Sequence, residues 1–549
     1  MKIAVCQINS VIGDIEGNFK KIKNFYEKAL QFRVDLCVFP ELSLLGYNPQ
    51  DLLEKKEFRR KCFDYNEKLA QISREVPLLF GSIMEENDEI GIHLYNCAFV
   101  ARDGKIEYAY KKVLLPYYDV FDEVRYFKSG KENSLYEFNY KKIGISICED
   151  IWNDKDYFKM RRYHADPIEE QIKNGAELLI NISASPYYYG KRSERMELLS
   201  LISKKSGAPL VYCSLVGANV DLIFDGGSMC IDKFGEIVKA GKFYDEDFII
   251  FDTDETSNQE IIIERTFEEE IYEAICFGVK QYAKQTGFSK AVLGLSGGID
   301  SAVVCCIAAN VFGKENVMPV LLPSMYSSKG SVDDAIKLCE NLGLKFNIIQ
   351  ITDSYYEIIK SLKPIFKNLP EDTTEENIQS RIRGLILMAI SNKFNAMLLS
   401  CGNKSELAVG YATLYGDMCG ALEPIGDVYK TDVYRLANYI NRKEEIIPKE
   451  ILVKAPSAEL KPGQKDQDTL PDYEILDKIL KLYIEKNLDY KDIDEIIGDS
   501  ELAKKILSMI DAYEFKRKQA PPVLKVSPKA FGTGRRFSMI SQWRKNSFT

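Results

Sequence analysis

Three side chains in the first half of this 549-residue sequence have the chemistry to cleave an amide: Glu41, Lys112 and Cys148. Each stands just past a short apolar run, at the kind of strand-to-loop junction where reactive groups are commonly presented. A thiol attacks an amide carbon. A carboxylate takes the thiol proton and returns it to the departing ammonia. An ammonium stabilises the oxyanion and holds the thiol closer to thiolate. Such a set needs no histidine, and the chain has only two, His93 and His164. Taken singly, a core thiol, a capping carboxylate and a surface charge account for the three; their joint placement favours a triad. A Cys148–His164 dyad is the rival arrangement.

A second chemistry is written in Ser296-Gly297-Gly298-Ile299-Asp300-Ser301, between the apolar runs 290–295 and 302–312. The pattern predicts a strand, a tight glycine turn and a helix. Glycine permits positive φ and close backbone approach. The free N–H groups of a helix start favour an anion, above all a phosphate. Ser296 and Ser301 add hydroxyl donors. Asp300 suits such a place if Mg2+ joins it to the phosphates. The stretch is not a P-loop, because GxxxxGK[ST] is absent.

The elements that must position these groups alternate. In the first half, residues 2–8, 34–39, 78–83, 142–147, 177–182, 210–215 and 248–252 read as strands. A helical stripe covers 17–35 and a helix is expected after Pro40-Glu41. Hairpins are expected around Arg102-Asp103-Gly104 (96–100 with 105–110) and Lys233-Phe234-Gly235 (228–231 with 236–239). The sheets should therefore be mixed. A polar, acidic stretch over 252–270 marks a boundary: residues 1–255 as one domain, 256–268 as linker, 269–549 as a second. There, an amphipathic helix over 267–282 leads into the glycine turn. Strands at 317–322, 346–351 and 396–400 alternate with helices, including 332–342. That pattern predicts a doubly wound parallel sheet with ligands at strand C-terminal ends.

Bulk properties narrow the classes. The formal net charge of −9 argues against a general nucleic-acid binder. No apolar run reaches membrane-span length. Thirteen scattered cysteines without metal-like CxxC pairs suit a reducing cytoplasm. After Glu514 the chain has no acidic residue, while Lys516, Arg517, Lys518, Lys525, Lys529, Arg535, Arg536, Arg544 and Lys545 are basic. That asymmetry fits a polyanionic ligand, or a solvated tail or subunit contact.

The segments Phe39-Pro40-Glu41-Leu42-Ser43, 112–127 (from Lys112-Val113-Leu114-Leu115-Pro116) and Ile147-Cys148-Glu149-Asp150-Ile151-Trp152 resemble those of the nitrilase superfamily, in particular its glutaminases. The resemblance implies an αββα sandwich, the Glu41–Lys112–Cys148 triad, glutamine contacts from Tyr118, Ser185 and Lys191, and Glu123 as a supporting glutamate. Tyr117 departs from the Asn often found there. The 296–301 loop resembles that of the ATP pyrophosphatases. Together with Asn377-Ile378-Gln379-Ser380, Cys401-Gly402-Asn403-Lys404-Ser405-Glu406, 410–417 and Pro456-Ser457-Ala458-Glu459-Leu460, it resembles the NAD synthetases, and the whole chain resembles their glutamine-dependent members. This implies an adenine nucleotide α-hydrolase-like second domain that binds ATP through Leu295, Ser296, Gly297, Gly298, Ile299, Asp300, Ser301 and Cys401. Relatives usually carry Thr in place of Cys401. It also implies Mg2+ on Asp300 and Glu406, and deamido-NAD against Asn377, Glu406 and Lys516. The implied reaction amidates deamido-NAD through an adenylate, with ammonia from glutamine passed through an enclosed tunnel, in a cytoplasmic homo-oligomer. The loop over 462–470 is expected to be mobile. Another pyrophosphatase amidotransferase, a stand-alone amide hydrolase and a nucleotide sensor are the other readings.

Overall fold

The computed structural model describes residues 1–89, 91–131, 134–257 and 265–540. Asn258 and Gln259, part of the expected linker, and the basic Arg544 and Lys545 lie outside them. The chain forms two compact units, Met1–Arg265 and Thr266–Thr549.

In the first unit the strands are β1 (Lys2–Gln7), β2 (Leu36–Val38), β3 (Leu78–Asp88), β4 (Gly91–Arg102), β5 (Lys105–Lys111), β6 (Tyr136–Phe138), β7 (Lys141–Ile147), β8 (Leu178–Ser183), β9 (Leu210–Ser214), β10 (Val216–Asn219), β11 (Leu222–Asp225), β12 (Met229–Ile231), β13 (Ile237–Ala240) and β14 (Asp247–Asp252). The helices that cover them are α1 (Ile15–Gln31), α2 (Lys56–Ile72), α3 (Pro167–Lys173) and α4 (Lys191–Ser206). Two six-stranded sheets form, in orders β14-β1-β2-β3-β4-β5 and β13-β12-β9-β8-β7-β6, each mixing parallel and antiparallel pairs. The period of two along each strand decides the layers. Ile3 and Val5 pack toward Ile143, Ile145, Leu178 and Ile180 of the facing sheet. Ala4 and Cys6, pointing the other way, meet Ile22 and Tyr26 of α1 and Leu69 of α2. On the far side, Ile168 of α3 and Leu198 and Ile202 of α4 cover Leu179, Tyr212 and Ile231. The result is an αββα sandwich.

The helix expected after Pro40-Glu41 forms as α2, set back from Glu41 by an irregular stretch. Leu42 takes φ +45° and residues 41–47 turn within the core, so helix begins only at Lys56. The turn lies so close to β3 that a side chain at Gly81 would sit 2.2 Å from the Leu42 amide nitrogen. Sequence inspection missed β6 and the β10–β11 hairpin. These strands are three or four residues long and carry little periodic signal.

The second unit has helix α5 (Phe267–Thr286), strand β15 (Ala291–Gly294), α6 (Ile299–Phe312), β16 (Val317–Leu321), α7 (Lys329–Leu342), β17 (Asn347–Ile348), α8 (Thr352–Phe366), α9 (Thr373–Phe394), β18 (Met397–Leu398) and α10 (Lys404–Val409). All four strands are parallel, in order β17-β16-β15-β18. β17 and β18 are the two edges, and each pairs over only two residues, shorter than the apolar runs 346–351 and 396–400 imply. A further apolar core joins α10 to the C-terminal helices through Leu407, Leu476, Ile506 and Ile510. Lys404 at the start of α10 is wholly buried. Its ammonium meets Asp427, Glu485, the Ser527 hydroxyl and the Lys529 carbonyl, fastening the last described segment to this helix.

Candidate active sites

In the first unit, Glu41 follows β2, Lys112 follows β5 and Cys148 follows β7, so the strand ends bring the three toward one place. Lys112 donates to Oε1 of Glu41 and to Oε1 of Glu123, both at 2.8 Å, with all three groups buried. Glu41 also accepts from Asn96 Nδ2 at 2.7 Å and from the Ala184 amide at 2.9 Å. Tyr47 donates to Glu123 at 2.8 Å. Buried ions persist only when paired and hydrogen-bonded in this way. Burial works against the Lys112 charge, but Glu123 and Glu41 outweigh it and raise its pKa. Burial pushes Glu123 up to about 7, with Lys112 pulling down and Glu41 pushing up.

Cys148 begins a tight turn, Cys148–Ile151, with φ +44°. A non-glycine residue rarely holds this conformation, and such strain gathers at functional positions. Asp150 pins the turn. It accepts from the Ile147 amide and Tyr110, and from the amides of Val113 and Leu114, which follow Lys112. Burial pushes the Cys148 thiol well up, Glu41 adds to this, and Lys112 opposes both. The expected pull of Lys112 toward thiolate is therefore present and outweighed, because desolvation disfavours any anion there. The direction of the shift favours the protonated thiol. His164 is exposed, whereas Cys148 is buried.

Around Cys148, Tyr118 donates to both oxygens of Glu149 and Tyr163 to one of them, at 2.9 to 3.0 Å. Arg162 lies 3.9 Å over the Tyr118 ring. Ser185 is buried beside Ala184. Lys191 is buried, donates to the Pro186 carbonyl at 2.8 Å, and is lowered to about 8 by burial and by Arg195. Sequence inspection missed Asn96, Tyr47, Glu149, Asp150 and Tyr163 as site residues. Glu149 and Asp150 alone carried a signal, as carboxylates next to a candidate nucleophile.

In the second unit, the 296–301 loop joins β15 to α6. Gly297 takes φ +77°, and a Cβ there would lie 2.1 Å from the Ser331 carbonyl oxygen at the start of α7. Ser301 donates to the Gly298 carbonyl at 3.0 Å, and the Gly298 amide donates to Ser296 Oγ at 3.2 Å. The loop lines a cavity of about 310 Å³. Its walls include Leu295, Ile299, Asp300, Cys401, Glu406, Arg383, Lys430 and residues 454–460. Asn403 caps α10 and donates to Asp300 Oδ1 at 2.9 Å. Lys430 places its ammonium between Asp300, at 2.5 Å, and Glu406, at 3.2 Å. Asn377 and Lys516 do not line this cavity. They lie on helices that meet the neighbouring 410–413 segment, where Asn377 of α9 accepts from Thr413 and Lys516 donates to the carbonyls of Gly410 and Ala412. Among the described residues, several basic side chains of the C-terminal stretch make internal contacts. Arg517 is buried on Glu514 and on the Leu407 and Ala408 carbonyls. Lys525 is buried on the Ser527 and Pro528 carbonyls, and Arg535 pairs with Glu514 and Asp511. Asp466, in the loop expected to be mobile, is buried and accepts from Tyr473 at 2.8 Å.

Asp300 and Glu406 are oxygen donors already gathered about one cation, the Lys430 ammonium, and burial raises Glu406 to about 8 against the pull of Lys430. Hard oxygen donors completed by phosphate suit Mg2+. Among the described residues, no group of three or more His, Cys, Asp or Glu side chains is placed to hold a metal ion by itself. The pair therefore fits a cation shared with a phosphate ligand, not an all-protein cage. Among the described residues no helix is long and apolar enough to cross a membrane, and all thirteen cysteines are free thiols.

A nitrilase-type sandwich and a nucleotide-binding parallel sheet in one chain define a two-domain enzyme that couples amide cleavage to nucleotide chemistry. Residues 2–261 match the carbon-nitrogen hydrolase family model and residues 271–520 the NAD synthase model. The chain is 41% identical to a glutamine-dependent NAD(+) synthetase of Thermotoga maritima, over 99% of both chains. It is 43% identical to one from Synechocystis, over 97% of both. A solved glutamine-dependent NAD+ synthetase from Acinetobacter baumannii, in complex with adenosine diphosphate, superposes with a TM-score of 0.76 at 35% identity over 99% of both chains. The chain belongs to the glutamine-dependent NAD(+) synthetases.

Proposed function

We propose that Glu41, Lys112 and Cys148 release ammonia from glutamine, and that the cavity beside the 296–301 loop uses it to amidate an ATP-activated deamido-NAD. Two observations support this reading: the buried Lys112 that ties together Glu41 and Glu123, and the glycine turn of the 296–301 loop with Asp300 and Glu406 gathered beside it. Glu41 takes the Cys148 proton as the sulfur attacks the glutamine amide carbon. Lys112 steadies the oxyanion. Glu41 then protonates the leaving ammonia, and water, deprotonated by Glu41, frees the thiol. Tyr118, Ser185 and Lys191 hold the substrate's amino-acid end.

In the second unit the nicotinate carboxylate attacks the α-phosphate of ATP. Pyrophosphate leaves, giving an acyl-adenylate with a good leaving group. Ammonia attacks the acyl carbon, and AMP departs with NAD formed. Leu295, Ser296, Gly297, Gly298, Ile299, Asp300, Ser301 and Cys401 hold ATP, and Asn377, Glu406 and Lys516 hold the dinucleotide. Mg2+ on Asp300 and Glu406 would neutralise charge on the departing pyrophosphate. Free ammonia is protonated in bulk water, so sheltered transfer belongs to the same proposal.

The test is NAD formation from deamido-NAD, ATP and Mg2+, with glutamine or ammonium as nitrogen source, in the parent chain and Cys148→Ala. Loss of glutamine-driven synthesis with ammonium-driven synthesis retained is expected. Unchanged glutamine use removes Cys148 as nucleophile, and no NAD from either nitrogen source removes the acceptor.

A further inference from the structure

The Pro456-Ser457-Ala458-Glu459-Leu460 segment forms part of the cavity wall. Its backbone turns through Glu459 with φ +48°, a conformation that a glutamate adopts at a cost. The turn aims the carboxylate at the start of α7. One oxygen accepts from Ser331 Oγ at 2.7 Å, Ser328 Oγ at 2.9 Å and Lys454 Nζ at 2.9 Å. The other accepts from the Ser328 amide at 3.2 Å. Lys454 also reaches Ser331 Oγ, which closes the cluster. A carboxylate at a helix N-terminus is in a favourable field, and hydrogen bonds to a charged acceptor are among the stronger ones.

Ser331 faces two ways. Its hydroxyl is held by Glu459, and its carbonyl oxygen lies where a Gly297 side chain would be. The wall segment is thus tied through one residue to the turn of the 296–301 loop. The same segment is anchored from the other side, where Gln379 of α9 donates to the Leu460 carbonyl at 2.9 Å. Without the carboxylate, that anchor and the Lys454 contact to Ser331 would remain, but the Glu459 turn itself would lose its hold on α7.

We infer that Glu459 is a positioning residue for the nucleotide site: its carboxylate latches residues 456–460 to Ser328 and Ser331, and so holds the cavity wall and the glycine turn in register. It touches no reacting atom and acts through Ser331. The inference rests on the reading of the cavity as the ATP site.

The test uses the full chain. ATP affinity is measured by calorimetry, the KM for ATP and kcat of ammonium-driven NAD synthesis by steady-state kinetics, and glutamine hydrolysis as an internal reference. Glu459→Gln removes the charge that Lys454 and the serines address. It should weaken ATP binding about five- to tenfold and raise the KM for ATP to match, with kcat and glutamine hydrolysis near the parent values. Glu459→Asp, which keeps the charge on a shorter arm, should recover part of the loss. A lowered melting temperature with unchanged ATP affinity and KM makes Glu459 merely structural and overturns the inference. Should Glu459→Gln fail to fold, Ser328→Ala decides: a smaller weakening of ATP affinity supports the latch, and none overturns it. Absence of ATP binding in the parent chain overturns the nucleotide reading and the latch with it.

Discussion

Lys112 sits between two carboxylates that are as buried as itself, so its removal strands negative charge in the core. Breaking a buried pair from one side costs about 3–5 kcal/mol. Lys112→Met should therefore abolish glutamine hydrolysis and also lower stability by that order, read by denaturant unfolding of the full chain. Retention of hydrolysis would remove Lys112 from the mechanism. Glu423 makes a different statement. It is 1% exposed, its Oε2 has no hydrogen-bond partner among the described residues, and its carboxylate lies against Gly402 on the cavity wall. Burial, then the charges of Asp417 and Glu406, push it from 4.5 to about 8, against a hydrogen bond from the Gly402 backbone. A carboxyl with a raised folded pKa binds its proton more tightly folded than unfolded. Stability is then fullest below the ordinary value and falls as pH rises toward about 8. For an isolated group a shift of this size corresponds to about 5 kcal/mol. Glu423→Gln should flatten the fall in melting temperature between pH 5 and 8. Parallel curves for parent and variant would contradict the assignment.

At the scale of elements, the β15–α6 junction suits the proposed nucleotide chemistry because three local demands coincide there. The strand ends at the sheet's C-terminal edge, the helix begins with free N–H groups, and the glycine between them packs on α7. Gly297→Ala meets both a positive φ and a backbone oxygen at 2.1 Å. A strain of about 1–3 kcal/mol expressed in phosphate binding corresponds to a loss of about 5- to 150-fold. Ammonium-driven synthesis should fall accordingly while glutamine hydrolysis, carried by a separately folded unit, holds. An unchanged ammonium-driven rate would sink the phosphate role of the loop. The β7–Cys148 junction follows a related logic, with Asp150 performing the anchoring that α7 performs for Gly297.

At the scale of the molecule, the two units each have their own core, which is why variants in one are expected to spare the basal chemistry of the other. The second unit leaves Ile365, Leu369, Leu385 and Phe394 more than half exposed, on α8, on α9 and between them. Their burial against a second copy would fit the homo-oligomer expected from the resemblance. Light scattering of the parent chain should give an oligomer, and Leu385→Glu with Phe394→Glu should reduce its mass. A strict monomer in the parent would overturn the expectation.

Family and fold class were legible because their signals are local. The 296–301 loop, the Glu41, Lys112 and Cys148 segments and the run 401–406 are each contiguous, and strand or helix periodicity needs only neighbours. The environment that tunes these groups was not legible, because it comes from far along the chain. Asn96 and Ala184 reach Glu41 across 55 and 143 residues, Lys430 reaches Asp300 across 130, and Glu459 reaches Ser328 across 131. Composition likewise could not tell a basic tail that binds phosphate from one whose Arg517 and Lys525 are buried on carbonyls. The sequence by itself determined which reactive groups the chain carries and the turns that present them, because short-range sterics and hydrogen bonding act between neighbours. Only the tertiary structure decided their protonation and register, because burial and charge act through space on residues that the sequence keeps apart.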